Sequence, residues 1–145
     1  MRILAVIALL SAALSCSTGE AITFHDVKSQ TLQFIEWDKQ IQLTPQQEAV
    51  KKAALEALPA PCCSDNSAYT CCCPCNLSRS TWGLSKWLIT EKGYSALQVK
   101  DKAAQWIAYI QPNGSSGKAC YTGGCSRPFA KDGCGGMNPN AVQFE

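Results

Sequence analysis

The chain has 145 residues, of which 46% are hydrophobic and 17% charged, and its formal net charge is +2. This length suits one domain, and the basic residues are spread along the chain instead of forming a stripe, which argues against a nucleic-acid partner. Ten cysteines accompany a single histidine, His25, so a metal site can include one imidazole at most and is otherwise built of thiolates.

The first 17 residues predict an export signal. Arg2 precedes an uncharged, mostly apolar run over residues 3–14, which is shorter than the about 20 residues that span a bilayer. The run leads into "ALSC", which resembles the bacterial lipobox, where the cysteine, here Cys16, receives a lipid; ordinary cleavage, for example after Ser17, is the alternative. The prediction is an exported bacterial protein of the cell envelope, in the periplasm or at the membrane surface, with Cys16 as the membrane tether.

Residues 18–43 are predicted to be helical, because Phe24, Val27 and Ile35 follow a helical spacing. His25 lies in this segment and is expected to be a surface or satisfied polar residue, with a ligand role as the alternative. A Cys–His catalytic pair would need this histidine, and the sequence places nothing beside it to orient the ring.

Residues 44–112 form the predicted cysteine-rich helical domain. Its first helix begins with a capping box, Thr44 with Gln47, and is stopped by Pro59 and Pro61. The helix therefore delivers the chain directly into the first cysteines.

Two further helices follow the cysteines. The first ends at Gly93, and the second begins with another capping box, Ser95 with Gln98. The tryptophans of both helices follow a helical spacing and are predicted to be core residues. The side chains that can cap the first of these helices are Asn76, Ser78 and Ser80.

Residues 113–145 form a tail that holds seven of the ten glycines and shows no helical periodicity. Its cysteines, at 120, 125 and 134, indicate order, because a crosslink or a metal ion can offset the entropy lost on folding. The tail is predicted to fold back on residues 62–75.

Nine cysteines remain once Cys16 is set aside, and an odd number leaves at least one thiol free, metal-bound or joined to another molecule. In an oxidising compartment the first interpretation is structural, with up to four disulfides between the 62–75 segment and the tail. The nine are Cys62, Cys63, Cys71, Cys72, Cys73, Cys75, Cys120, Cys125 and Cys134.

The second interpretation is a soft-metal site built from the same nine thiolates. Closely spaced thiolates suit Cu(I), and a four-thiolate Zn site is the alternative, with Cys72/Cys75 and Cys120/Cys125 as its two knuckles. The third interpretation is redox chemistry at "CCPC", with Cys72 as the nucleophile and Cys75 as the resolving thiol, because the following helix favours a thiolate.

The order of cysteine motif, helix, "KGYSALQV" turn and helix resembles the thiol-oxidoreductase domain of CcmH-type cytochrome c maturation proteins over about residues 44–110. That family is a three-helix bundle with a C-x-x-C motif, and the resemblance implies Cys72 and Cys75 as its two cysteines and a thiol-bearing protein as the partner. "APCC…PCN" also resembles bacterial lipoproteins named for a PCYCGC motif. Both resemblances imply a helical fold in the cell envelope.

Together these features predict an all-α fold, a small three- to four-helix bundle with a cysteine-rich loop between helices and an irregular tail rich in glycine and cysteine. The predicted function is to handle a soft metal ion, Cu(I) or Zn, or thiols through residues 62–75. The alternatives are a disulfide-stapled structural or interaction module without catalytic activity and a CcmH-like thiol-disulfide oxidoreductase.

Overall fold

The computed structural model describes residues 21–145, so the predicted signal peptide and the lipidation of Cys16 lie outside the described residues. Over the described range the chain is mostly helical, 54%, which confirms the helical class. The helices are α1 (Val27–Gln40), α2 (Pro45–Glu56), α3 (Asn76–Lys92) and α4 (Ala96–Ile110).

The cysteine-rich segment also contains a short antiparallel hairpin, so the prediction of a purely helical fold was wrong in this respect. Strand β1 (Pro59–Ala60) pairs with β2 (Cys63–Ser67), with Ala60 opposite Cys63. The residues of β2, "CSDNS", lack the alternation of apolar side chains by which a strand is recognised. Three 3-10 turns order the tail, at Ala119–Thr122, Gly124–Ser126 and Phe129–Lys131.

The helix ends show which capping signals in the sequence correctly predicted where a helix begins or ends. Both capping boxes are present, at Thr44 and at Ser95, and Gly93 ends α3 in the left-handed conformation with φ of 64°. The start of α3 differs from the prediction, because Cys75 is its N-cap and its side chain makes no capping hydrogen bond. Ser78 and Ser80 therefore lie inside the helix and do not cap it.

Helix α3 is the centre of the bundle. Helix α1 crosses it at Gly83, where the backbone of Phe34 and Asp38 occupies the space that a Cβ would need. From the other side Trp106 of α4 is fully buried and donates its indole N–H to the Ser80 hydroxyl at 3.1 Å. Hydroxyl groups thus line part of a buried helix, which hydrophobic periodicity does not predict.

The tail lies against the hairpin and the first turn of α3. The Cys120 N–H donates to the Cys62 carbonyl at 2.9 Å, and the Leu77 N–H donates to the Cys134 carbonyl at 3.0 Å. The Ser64 N–H donates to the Gly117 carbonyl at 2.8 Å. These backbone bonds bring the three tail cysteines close to the six cysteines of residues 62–75. Between residues 21 and 145, no helix has the length and apolarity that a membrane span requires.

Candidate metal centre

The sulfur network formed by the nine cysteines of the described chain has three parts. The buried group is Cys62, Cys75 and Cys134, and the surface group is Cys63, Cys72 and Cys120. Within each group all three Sγ atoms lie within 4.8 Å of one another. Cys73 and Cys125 form a separate close pair, and the Sγ of Cys71 lies beside the buried group.

The buried group is almost fully shielded from solvent. Its three residues, Cys62, Cys75 and Cys134, are between 0% and 1% exposed. The Sγ of Cys71 lies 3.6 Å from that of Cys62, and a cavity of about 10 Å³ borders Cys62, Cys71 and Cys75. A cavity of this size holds roughly one water-sized particle.

Three different parts of the chain place these buried sulfurs. Cys62 lies in the turn of the hairpin, Cys75 is the N-cap of α3, and Cys134 lies in the tail where its carbonyl accepts a bond from α3. The N-terminus of a helix carries a partial positive charge, which favours negative charge on the Cys75 sulfur. The Ser78 hydroxyl also lies 3.6 Å from that sulfur.

The surface group is open to solvent on one side. Cys72 is exposed, Cys120 is half-buried, and Cys63 is 2% exposed. The side-chain amide of Asn66 donates to the Cys63 Sγ at 3.3 Å, and the Tyr121 hydroxyl lies 3.8 Å from the same sulfur. Cys63 is therefore the fixed sulfur of this group and Cys72 the accessible one.

The third part of the network is the pair Cys73 and Cys125, whose Sγ atoms are 3.2 Å apart. The Sγ of Cys73 is also 3.5 Å from that of Cys72, so this pair adjoins the surface group. Each of the three parts contains one tail cysteine. The tail thus contributes to every part of the network.

The contiguous cysteines divide between the groups. Cys62 belongs to the buried group and Cys63 to the surface group, and in the same way Cys71 lies beside the buried group while Cys72 belongs to the surface group. The sulfurs of Cys72 and Cys73, which are also neighbours in the chain, lie 3.5 Å apart. The pairs Cys62/Cys63 and Cys71/Cys72 each supply two sulfur groups, and this arrangement does not require either pair to bond to itself.

Hydrogen bonds between the thiols shift the pKa values of cysteines in both groups. Those with Cys134, Cys62 and Cys71 hold the pKa of Cys75 well below its ordinary value. The hydrogen bond with Cys134 raises the pKa of Cys62, and the hydrogen bond with Cys62 raises the pKa of Cys71. In the surface group the bond from Cys120 lowers the pKa of Cys63, and its counterpart raises the pKa of Cys120 to about 12.

The sulfur spacing fits a metal ion. A metal–sulfur bond of about 2.3 Å implies sulfur separations of roughly 3.8–4.0 Å around a tetrahedral or trigonal ion. The Sγ atoms of each group, within 4.8 Å of one another, need only small adjustments to reach such values. Thiolates select soft ions, so these cysteine clusters could hold a metal ion such as Cu(I) or Zn.

The structure separates two sets of cysteines that the sequence placed together. Cys72 belongs to the surface group and Cys75 to the buried group, so the two cysteines of the C-x-P-C unit do not share a group. The two predicted zinc knuckles are divided as well, because Cys120 joins the surface group while Cys125 pairs with Cys73.

His25 is exposed, and Nδ1 of its ring lies 3.3 Å from the backbone carbonyl oxygen of Thr23. It belongs to neither sulfur group. The structure therefore places the imidazole away from the cysteines.

Asn76 is a positioning residue that the sequence suggested only as a helix cap. It is fully buried, and its side-chain amide donates to the carbonyls of Gly135 and Asn138, each at 2.9 Å. Its own N–H donates to the Gly136 carbonyl at 2.9 Å. These three bonds fix the backbone next to Cys134, and the sequence signal was the position of Asn76 directly after the last cysteine of the cluster.

The backbone of the tail approaches Phe129 closely at Gly135. This glycine has a φ of 72°, and a Cβ there would overlap the Phe129 ring. Only glycine meets both demands easily, so this residue also holds the turn that follows Cys134.

Comparison with known proteins gives no match: no family, no curated protein and no solved structure is similar to this chain.

Proposed function

We propose that this protein binds a soft metal ion, Cu(I) in preference to Zn, at the buried group of Cys62, Cys75 and Cys134. The observation that carries the proposal is the convergence of three buried sulfurs from three separate parts of the chain to within 4.8 Å. A buried thiolate needs a compensating charge, and a bound cation supplies one while replacing the thiol protons.

The number of sulfurs favours Cu(I). A structural zinc site takes about four protein ligands, whereas thiolates in smaller numbers suit Cu(I). Only three Sγ atoms in the buried group lie within 4.8 Å of one another, and Cys71 contacts the group through Cys62 at 3.6 Å without being one of the three. Cys71 then serves as an additional thiol at the edge of the site.

We also propose that the protein works outside the cytoplasm, with the membrane tether at Cys16. The support for this lies in the sequence of residues 1–17, a short apolar run that ends in a lipobox-like motif. A bound soft ion would keep the ligating thiols from pairing in an oxidising compartment. Radiolabelled palmitate incorporation into the wild type and not into Cys16→Ser would support the tether, and equal labelling would contradict it.

A competition titration tests the buried site. The reduced protein and its variants are titrated with Cu(I) against the chromogenic chelator bathocuproine disulfonate under nitrogen. Cys75→Ser removes a ligand and is expected to weaken Cu(I) binding by more than the about 10- to 100-fold that loss of a supporting residue costs. The matched control is Cys125→Ser, which removes a thiol outside both groups.

The two variants separate specific binding from general thiol affinity. The proposal expects the tightest Cu(I) ion to be lost in Cys75→Ser and retained in Cys125→Ser. Equal affinities of both variants and the wild type would contradict a site at the buried group.

A disulfide-stapled module is the second candidate, and the sulfur contacts favour it in one respect. The nine sulfurs can be matched into four neighbouring pairs, for example Cys73 with Cys125 and Cys62 with Cys71, which leaves one thiol over. The remaining pairs are Cys63 with Cys120 and Cys75 with Cys134, and the thiol left over is Cys72. Four disulfides with Cys72 as the alkylated thiol would establish this candidate in place of the metal site.

A further inference from the structure

The surface group repeats the arrangement of the buried group at a solvent-facing position. Its three Sγ atoms, from Cys63, Cys72 and Cys120, also lie within 4.8 Å of one another. Their exposure increases in the order Cys63, Cys120, Cys72, from buried to exposed. An ion held here can be reached from solution, whereas an ion at the buried group cannot be reached without movement of the chain.

Polar side chains around the surface group hold its inner sulfur in place. Asn66 donates to the Cys63 Sγ at 3.3 Å, and the Tyr121 hydroxyl donates to the Asp65 carboxylate at 2.7 Å while lying 3.8 Å from that Sγ. The 3-10 turn that carries Cys120 is held by the bond from the Cys120 N–H to the Cys62 carbonyl. Two sulfurs are thereby anchored, and the third, Cys72, faces solvent.

We propose that Cys63, Cys72 and Cys120 form a second soft-metal site that exchanges its ion with thiolate ligands in solution, while the buried group retains its ion. The inference rests on the proposed function for the identity of the ion. It adds a second site and a difference in exchange rate between the two sites. The ion at the more exposed site is exchanged faster.

The exchange is a ligand substitution without electron transfer. Cu(I) arrives on the thiolates of an external ligand. The Cys72 thiol releases its proton to solvent and its sulfur bonds to the ion, as one external sulfur leaves as a thiolate and is protonated. The Cys63 and Cys120 thiols then each release a proton and bond to the ion, which becomes three-coordinate. The remaining external sulfur leaves as a thiolate and takes up one of these protons, the other proton passes to solvent, and copper stays Cu(I) throughout.

The adjacent cysteines connect the two sites. Cys62 and Cys63 are neighbours in the chain, and so are Cys71 and Cys72, with one member of each pair at each group. No residue therefore separates the sulfurs of the outer site from those of the inner site along either segment. This contiguity suits passage of an ion from the exchanging site to the retaining one.

Removal kinetics test the proposal. The reduced full chain is loaded with two equivalents of Cu(I) under nitrogen and mixed with excess bathocuproine disulfonate in a stopped-flow instrument. We expect two phases of equal amplitude, with the first at least about tenfold faster, because the buried sulfurs become accessible only by local opening. Cys72→Ser is expected to lose the fast phase and to bind one ion instead of two, and substitution of an exposed residue leaves the fold intact.

The controls separate the two proposals. Cys125→Ser is expected to keep both phases, and Cys75→Ser to lose the slow one. A wild type that binds a single ion, lost in Cys75→Ser and kept in Cys72→Ser, would overturn the second site and leave the proposed function standing. Two ions released in one phase, or two phases that persist in Cys72→Ser, would also overturn it. Absence of any bound ion in the wild type would overturn both proposals.

Discussion

The helical part of the molecule, residues 27–110, and the tail, residues 113–145, are held in place by different interactions. The helices bury large apolar side chains completely, among them Phe34, Leu84 and Trp106. The buried hydrophobic residues of the tail are Ala119, Phe129 and Cys134. The order of the tail depends more on backbone hydrogen bonds to the hairpin and α3, and on its cysteines, than on apolar burial.

The difference shows why the cysteines occur where they do. A segment rich in glycine loses much conformational entropy on folding, and it has few apolar side chains to compensate. A metal ion or a disulfide at the sulfurs supplies the missing stabilisation. The helices away from the sulfurs should therefore respond little to the state of the sulfurs, whereas the tail and the first turn of α3, which the tail contacts, should respond strongly.

The largest expected effect is on the helical part. Trp106→Ala removes a fully buried indole that packs on Phe34 and donates to Ser80. The expected loss is about 3–5 kcal/mol of unfolding free energy, measured by urea denaturation. We expect the loss to be the same with and without Cu(I), because the hydrogen bond and the aromatic contacts of the indole involve no cysteine. A loss that depends on the ion would contradict a separate stabilisation of the helices and the tail.

Metal removal has the next largest effect and should act on the tail. At a free ion concentration of 1,000 times Kd, binding stabilises the folded chain by about 4 kcal/mol. Hydrogen exchange with and without bathocuproine disulfonate locates the change. We expect faster exchange at the amides of Leu77, Cys120 and Cys134 on removal of the ion, and little change at the middle of α4. Uniform loss of protection would contradict a division between the two parts.

Asn76→Asp tests the hydrogen bonds that join helix α3 to the tail. The substitution keeps the size of the side chain but removes the two N–H bonds to Gly135 and Asn138. Their carbonyls lose buried partners, at an expected cost of about 1–3 kcal/mol, and Cu(I) binding at the buried group should weaken with it. The conservative control Asn138→Ala keeps the backbone carbonyl that accepts the bond, so it should bind the ion as the wild type does. Normal binding by Asn76→Asp would contradict the positioning role.

Thr44→Ala is expected to have the smallest effect. The Thr44 hydroxyl accepts from the Gln47 N–H at 3.3 Å in the capping box of α2. Its loss should cost about 1 kcal/mol without a change in Cu(I) affinity, as measured by thermal denaturation and competition titration. A reduced affinity would mean that α2 supports the sulfur groups.

The helical part could be predicted from the sequence because its signals are local. Thr44 with Gln47, Ser95 with Gln98, and Gly93 each act within one helical turn, and the structure contains all three. The burial of Ser80 escaped prediction because it depends on a tertiary contact, the bond from the Trp106 indole.

The sequence predicted which cysteines take part in the site, but it did not predict how they are grouped. The nine cysteines were recognisable from their number and spacing, but spacing paired Cys72 with Cys75 whereas the structure assigns them to different groups. Cys62 and Cys63 are adjacent in the chain but belong to different groups, whereas the sulfurs of the adjacent Cys72 and Cys73 are 3.5 Å apart, so proximity in sequence is a poor guide to proximity of sulfurs here. The role of Asn76 likewise depends on a tail segment about 60 residues away, at Gly135.

The most direct test of the metal site is native mass spectrometry of the protein exported in an oxidising host and purified without air, reductant or chelator. We expect a chain that carries a soft metal ion, with Cys62, Cys75 and Cys134 protected from alkylation until a chelator removes the ion. A metal-free chain in which the nine cysteines form four disulfides with one alkylated thiol would contradict it and make the sulfurs crosslinks.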